Sequence, residues 1–266
     1  MPVALSATTT PLHAVTYWQF HGVFLLPVFA VLLGRQRWRG RPVPPRVWTG
    51  IVVAAVIALV YTAPWDNYLI RRGVWSYPPG RVTLSWRIGY VPLEEYLFFV
   101  LQPILTGLCL WSFGLAQDQD RGEGVSPRRR LAHRLTGATV AVFLGGVGLL
   151  ALATGGRWLY AGLILVWSTP PLALHWLYGG DMLWENRRAA LLPLGLATVY
   201  LWAADRVAIG AGIWSVSPLF STGWTLLGLP VEEALFFAVT NLLIVQTLLL
   251  FWHRFSPGCV ADAIPT

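Results

Sequence analysis

Six of the chain's twelve acidic residues fall into two matched sets. Glu94 and Glu95 stand in the phrase Pro92-Leu93-Glu94-Glu95-Tyr96-Leu97-Phe98-Phe99, and Glu232 and Glu233 in Pro230-Val231-Glu232-Glu233-Ala234-Leu235-Phe236-Phe237. An aspartate precedes each: Asp66 at the end of Tyr61–Asp66, Asp205 at the end of Tyr200–Asp205. Gly73-Val74-Trp75-Ser76 and Gly212-Ile213-Trp214-Ser215 follow in the same order. Carboxyl groups give up protons when neutral and accept them when ionised, so such a set can supply a general acid and a general base. Each glutamate pair opens a long apolar run, where carboxylates are costly, and a repeated set in that setting reads as a functional site. First-turn glutamates can also simply cap a helix. Capping, however, needs neither a second carboxylate nor a distant aspartate.

Neighbouring residues on a helix point about 100° apart, so Glu94 and Glu95 cannot both face one small group. One of them reacts while the other pairs with arginine or orients its neighbour. Phe98 lies one turn below the pair and Gln102 lies further along the same stripe; Phe236 and Thr240 repeat this below Glu232 and Glu233. A carboxyl in an apolar pocket can remain a proton donor at neutral pH, and aromatic faces stabilise positive charge. Acids above Phe98, Phe99, Phe236 and Phe237, flanked by Trp65, Trp75 and Trp214, therefore suit chemistry through a carbocation on an apolar substrate. Trp65, Trp75, Tyr77, Trp86, Tyr90, Trp214 and Trp224 would equally serve as an interfacial belt. The sequence offers no metal spacing and no nucleotide-binding loop, so neither metal nor cofactor is expected.

These residues must be positioned by helices in a bilayer. The 266 residues are 56% hydrophobic and only 12% charged, against about 25% charged in soluble domains. Seven runs approach the length needed to cross a membrane: Val15–Leu33, Trp48–Ala63, Val91–Leu115, Leu135–Ala153, Trp158–Leu177, Ala189–Ala204 and Leu229–Trp252. The second and sixth are short and are expected to continue into the Asp66 and Asp205 regions. The expected fold is an all-α integral membrane protein, with seven transmembrane helices arranged as two parallel three-helix repeats joined by a linker helix. Residues 1–115 form the first repeat, 116–156 the polar linker and connecting helix, and 157–266 the second repeat. Three helices reverse the chain's side of the membrane and a fourth restores it. Both acid sets then reach one face.

The net charge is +7 and all 19 basic residues are arginine. They sit in short loops, which is topology charge rather than a nucleic-acid footprint. Their distribution favours an outer-facing carboxylate rim. Cys109 and Cys259 make no disulfide framework, and Met1–Ala14 lacks the basic start of a signal peptide. The absence of lysine excludes a Schiff-base retinal protein.

Tyr61–Thr106 and Tyr200–Ile244 resemble the lycopene cyclase domain family, the small membrane-embedded type, in the proline-x-Glu-Glu phrase, the Phe-Phe stretch and the upstream aspartate. The resemblance covers nearly the whole chain. The two copies are not identical: Asp66-Asn67 becomes Asp205-Arg206, Gln102 becomes Thr240, and the second copy is one residue shorter between aspartate and glutamates. The resemblance implies a lycopene β-cyclase of the cell membrane, working without a redox cofactor. Glu94, Glu95, Glu232 and Glu233 would be the acids and bases, with Asp66 and Asp205 orienting them or stabilising the cation. Lycopene would come from the bilayer, amid membrane lipids, in association with other carotenoid enzymes. Competing readings are a transporter with three, one and three helices, and a non-catalytic assembly subunit of carotenoid enzymes.

Overall fold

The computed structural model describes residues 15–83, 86–114 and 126–255. Met1–Ala14, Cys259 and residues 116–125 of the linker lie outside them. Among the described residues, seven long helices carry the fold: α1 (Tyr17–Trp38), α2 (Pro45–Arg71), α3 (Leu93–Phe113), α4 (Pro127–Thr154), α5 (Leu159–Glu185), α6 (Arg187–Gly210) and α7 (Val231–Phe255). All but α5 are apolar and long enough to cross a membrane, as fits a membrane protein. α5 is equally long but carries Pro170, Pro171 and His175. Helix starts follow local chemistry. Pro45 and Pro127 occupy first-turn positions, where a missing N–H costs nothing. Thr16 and Gln19 close a capping box on α1. As expected, α2 and α6 run on past Asp66 and Asp205.

The two motif helices, α3 and α7, are the core of the bundle. They pack on each other; α2 and α6 each touch both, while α1 packs on α3 and α5 on α7. α4 lies along α5, where glycines permit close approach. A Cβ on Gly148 would meet the Gly162 carbonyl oxygen at 3.0 Å, and one on Gly162 would meet that of Gly148 at 2.9 Å.

Three two-stranded antiparallel ladders close the acid end. β2 (Arg87–Ile88) pairs with β3 (Val91–Pro92), and β5 (Thr225–Leu226) with β6 (Leu229–Pro230). Each hairpin leads straight into a motif helix. β1 (Trp75–Ser76) pairs with β4 (Ser215–Val216), so the two long loops are stitched to one another.

Candidate active site

Matched backbone contacts place the first-turn glutamates. The Tyr17 N–H donates to the Arg81 carbonyl and the Tyr160 N–H to that of Phe220; those of Leu93 and Val231 donate to Trp86 and Trp224. These bonds fold each loop over its helix. The Thr83 N–H then donates to Glu94 Oε1 at 2.7 Å, and the Thr222 N–H to Glu232 Oε1 at 2.6 Å. Glu94 and Glu232 thus hold the loops down, with the other carboxylate oxygen of each buried and, among the described residues, unpartnered.

Glu95 and Glu233 turn the other way, into a shared cavity of about 30 Å³. Glu95 Oε2 accepts from the Tyr17 hydroxyl at 2.8 Å and the Tyr77 hydroxyl at 2.7 Å. Glu233 Oε1 accepts from the Tyr160 hydroxyl and from Trp75 Nε1, both at 2.9 Å. Burial and the adjacent Glu95 carboxylate push the Tyr77 phenol well above its ordinary pKa, so it stays a donor. Phe98, Phe236, Phe237, Trp75 and Trp214 also line this cavity, as does Asp205.

The aspartates differ. Asp205 Oδ1 accepts from Trp214 Nε1 at 2.8 Å, while Asp66 is wholly buried and, among the described residues, neither of its oxygens is hydrogen-bonded. Asp66 does not line the cavity. Among the described residues, the bonds to these six carboxylates come from phenols, indoles and backbone N–H groups, not from arginine. Arg81 and Arg206 donate instead to the carbonyls of Val15 and Leu227.

The remaining expected residues lie beside a second, larger space. Phe99 and Gln102 line an apolar groove of about 230 Å³, together with Phe236, which also lines the acid cavity. Trp65 is buried at their junction, its ring stacked on Trp167 at 4.7 Å and on Phe236 at 5.6 Å. The proposed aromatic belt therefore divides. Trp65 and Trp75 are buried and Trp214 is half-buried in the site, while Trp86, Tyr90 and Trp224 are exposed. Among the described residues, no group of three or more His, Cys, Asp or Glu is arranged to hold a metal ion.

Sequence reasoning missed Tyr17, Tyr160 and His21. His21 is buried and stacks on Tyr17 at 4.7 Å. A signal existed: Tyr17 and Tyr160 each precede a proline, Pro27 and Pro170, by ten residues. A proton donor and a proton acceptor around one buried cavity walled by rings could start and end a cationic reaction on an apolar molecule.

A family model described as lycopene cyclase matches residues 13–111 and 157–252. The chain is 42% identical over 202 residues to a lycopene beta-cyclase of Halobacterium salinarum, covering 76% of this chain and 81% of that protein. It is 36% identical over 201 residues to a bifunctional lycopene cyclase/phytoene synthase of Podospora anserina, covering 74% of this chain and 34% of that protein. A protein of the same description from Gibberella fujikuroi is 34% identical over 86% of this chain and 39% of its own length. No solved structure matches.

Proposed function

The chain belongs to the lycopene cyclase family, and on that premise we propose that it closes the linear ends of lycopene into β-type rings within a membrane. One observation carries the chemistry: Glu95 and Glu233, from matching positions of two helices, face a single cavity walled by aromatic rings.

The reaction balances without an oxidant. A glutamic acid protonates a terminal carbon–carbon double bond, leaving a tertiary cation. The neighbouring internal double bond attacks it, forming the ring bond and moving the positive charge into the ring. A carboxylate then removes a proton, and its C–H electron pair becomes the ring double bond. Glu95 and Glu233 are the acid and base of this scheme. Tyr17, Tyr77, Tyr160 and Trp75 fix their orientation, and Phe98, Phe236 and Phe237 face the cation. Asp205 supports the cation electrostatically, while Asp66 acts from outside the cavity. The cavity has room for about two water-sized groups and is smaller than a closed ring. Phe236, common to cavity and groove, is the side chain that must move.

The architecture that serves this reading has seven membrane spans, with two parallel three-helix repeats and α4 as connector. It resides in the cell membrane, where lycopene is dissolved. Cysteine labelling at the loops 72–86 and 211–224 from one side only is expected; labelling from opposite sides would reject parallel repeats. For the activity, the chain is expressed in a bacterium that accumulates lycopene and its pigments are separated by chromatography. Cyclic carotenes are expected. Unchanged lycopene would favour a carrier or an assembly subunit.

A further inference from the structure

We propose that the groove between α2 and α5 seats the polyene chain of the substrate, which enters sideways from the lipid and brings one end group to the acid cavity. This rests on the cyclase reading above and adds to it a binding site and a direction of entry.

The groove runs lengthwise. On α7 it extends from Phe236 to Thr247, roughly 16 Å at 1.5 Å per residue. Its acid end is marked by Phe236, which it shares with the cavity of Glu95 and Glu233. A long, rigid, apolar ligand lying in it therefore points one end at the acids. It also opens laterally. Ile57 on α2 and Leu174 on α5 are exposed on its two lips, whereas Gln102, Phe236 and Ile244 on its floor are buried.

Two polar side chains of the lining, Gln102 and His175, have partners within the protein, whereas Trp167 Nε1 is buried without one among the described residues. The Gln102 amide donates to Thr240 at 2.8 Å and to Asn241 at 3.0 Å. His175 lies 3.2 Å from Gln246 and 3.3 Å from the Thr247 hydroxyl. These groups ask nothing of an occupant, as suits a hydrocarbon. Gln102 thereby acts as a wall of the groove and holds α3 to α7.

A latch crosses the lips near the acids. Pro171 lacks the N–H that would bond the Trp167 carbonyl one turn earlier. The Tyr61 hydroxyl donates to that carbonyl at 2.7 Å from the opposite helix, and the two rings stack at 5.4 Å. Trp167 in turn stacks on Trp65, and Trp65 on Phe236. One aromatic column thus links the lateral opening to the side chain between groove and cavity.

The test narrows the groove from both walls. Ala58→Phe on α2 and Leu174→Trp on α5 are compared with Val56→Phe, an exposed α2 position outside the groove. Cyclisation is read by pigment chromatography in membranes. Lycopene binding is read by quenching of tryptophan emission in vesicles, in a Glu233→Gln background that removes turnover. Both groove variants are expected to lose about tenfold or more in turnover and in binding, with Val56→Phe unchanged. Ala58→Val gives the smaller step in the same direction if the phenylalanine does not fold. Wild-type cyclisation by folded Ala58→Phe, or by Ala58→Val where the phenylalanine does not fold, together with wild-type cyclisation by Leu174→Trp, overturns the groove while leaving the cyclase reading intact. A wild-type protein that forms no cyclic pigment, yet binds lycopene in a way Ala58→Phe abolishes, overturns the cyclase reading and keeps the groove.

Discussion

The two acid sets have nearly the same residues and different bonds. Tyr77 follows Trp75 by two residues, and Val216 takes that place after Trp214. The Tyr77 phenol fills the second donor position at Glu95, which leaves the Trp214 N–H for Asp205. Val216 has no donor to give. Trp75 supplies the second bond to Glu233 instead, and Asp66 is left without a hydrogen-bond partner among the described residues. One residue difference thus redistributes four hydrogen-bonding groups. Each loop tryptophan also crosses the interface: Trp75 packs on Tyr160 and Phe236, Trp214 on Tyr17 and Phe20. The halves build one site jointly, and they build it unequally.

A second pair makes the point with opposite polarity. Asn67 accepts the Tyr90 N–H at 2.7 Å, while Arg206, in the matching position, donates to the Leu227 carbonyl at 2.5 Å. Both pin a hairpin to the end of α2 or α6. The Asn-to-Arg difference is therefore a change of donor, not of task.

The largest difference is expected within each glutamate pair. Glu95→Gln and Glu233→Gln should each lose about 10²–10⁴-fold in cyclisation, as general acid–base groups do. Glu94→Gln and Glu232→Gln keep an acceptor for the Thr83 and Thr222 N–H groups, and should lose less than about tenfold. Pigment yield per folded protein decides it; equal losses within a pair would end the division of labour.

The donors come next. Trp75→Phe removes a bond to Glu233 and should cost about tenfold in rate, the worth of a hydrogen bond to a charged group. Val216→Tyr in that background should recover part of the loss by restoring a phenol where the first half has Tyr77. No recovery would mean that Tyr77 and Val216 do not explain the asymmetry.

The aspartates should differ more modestly. Asp205→Asn alters a residue that lines the cavity and should slow turnover by about tenfold, since the cation loses a nearby carboxylate. Asp66→Asn, outside the cavity, should slow it less. The reverse order, measured by the same chromatography, would move the cation's partner to the first half.

The smallest effect lies in the hairpins. Leu227 holds a φ of 52° where the first half has Gly89 at 67°, a left-handed conformation costing a side chain about 1–2 kcal/mol. Leu227→Gly should raise the thermal midpoint. Gly89→Ala should lower it, because a Cβ there would lie 2.2 Å from Asn67 Oδ1.

Apolar length made most helices legible: Val91–Leu115 and Leu229–Trp252 differ from the observed α3 and α7 by a few residues at each end. Where charge interrupts the pattern the expectation fell short. α4 begins at Pro127, with Ser126 accepting the Arg129 N–H, although its arginine-rich first turns read as linker. α5 continues to Glu185 across Gly179, which leaves helical geometry within it.

That carboxylates stand in the first turns of two apolar helices is legible in the residue order, because a duplicated phrase and apolar runs are properties of neighbouring residues. Tertiary structure alone decided which member of each pair faces the cavity and which holds a loop. It also decided that Tyr17 and Tyr160 complete the site, and that Phe99 and Gln102 belong to the groove. The physical reason is that a buried carboxylate is oriented by the donors that reach it. Here those donors come from other helices, as Tyr17 and Tyr160 do, and from loops folded back over the motif helices, arrangements that apolar periodicity does not record.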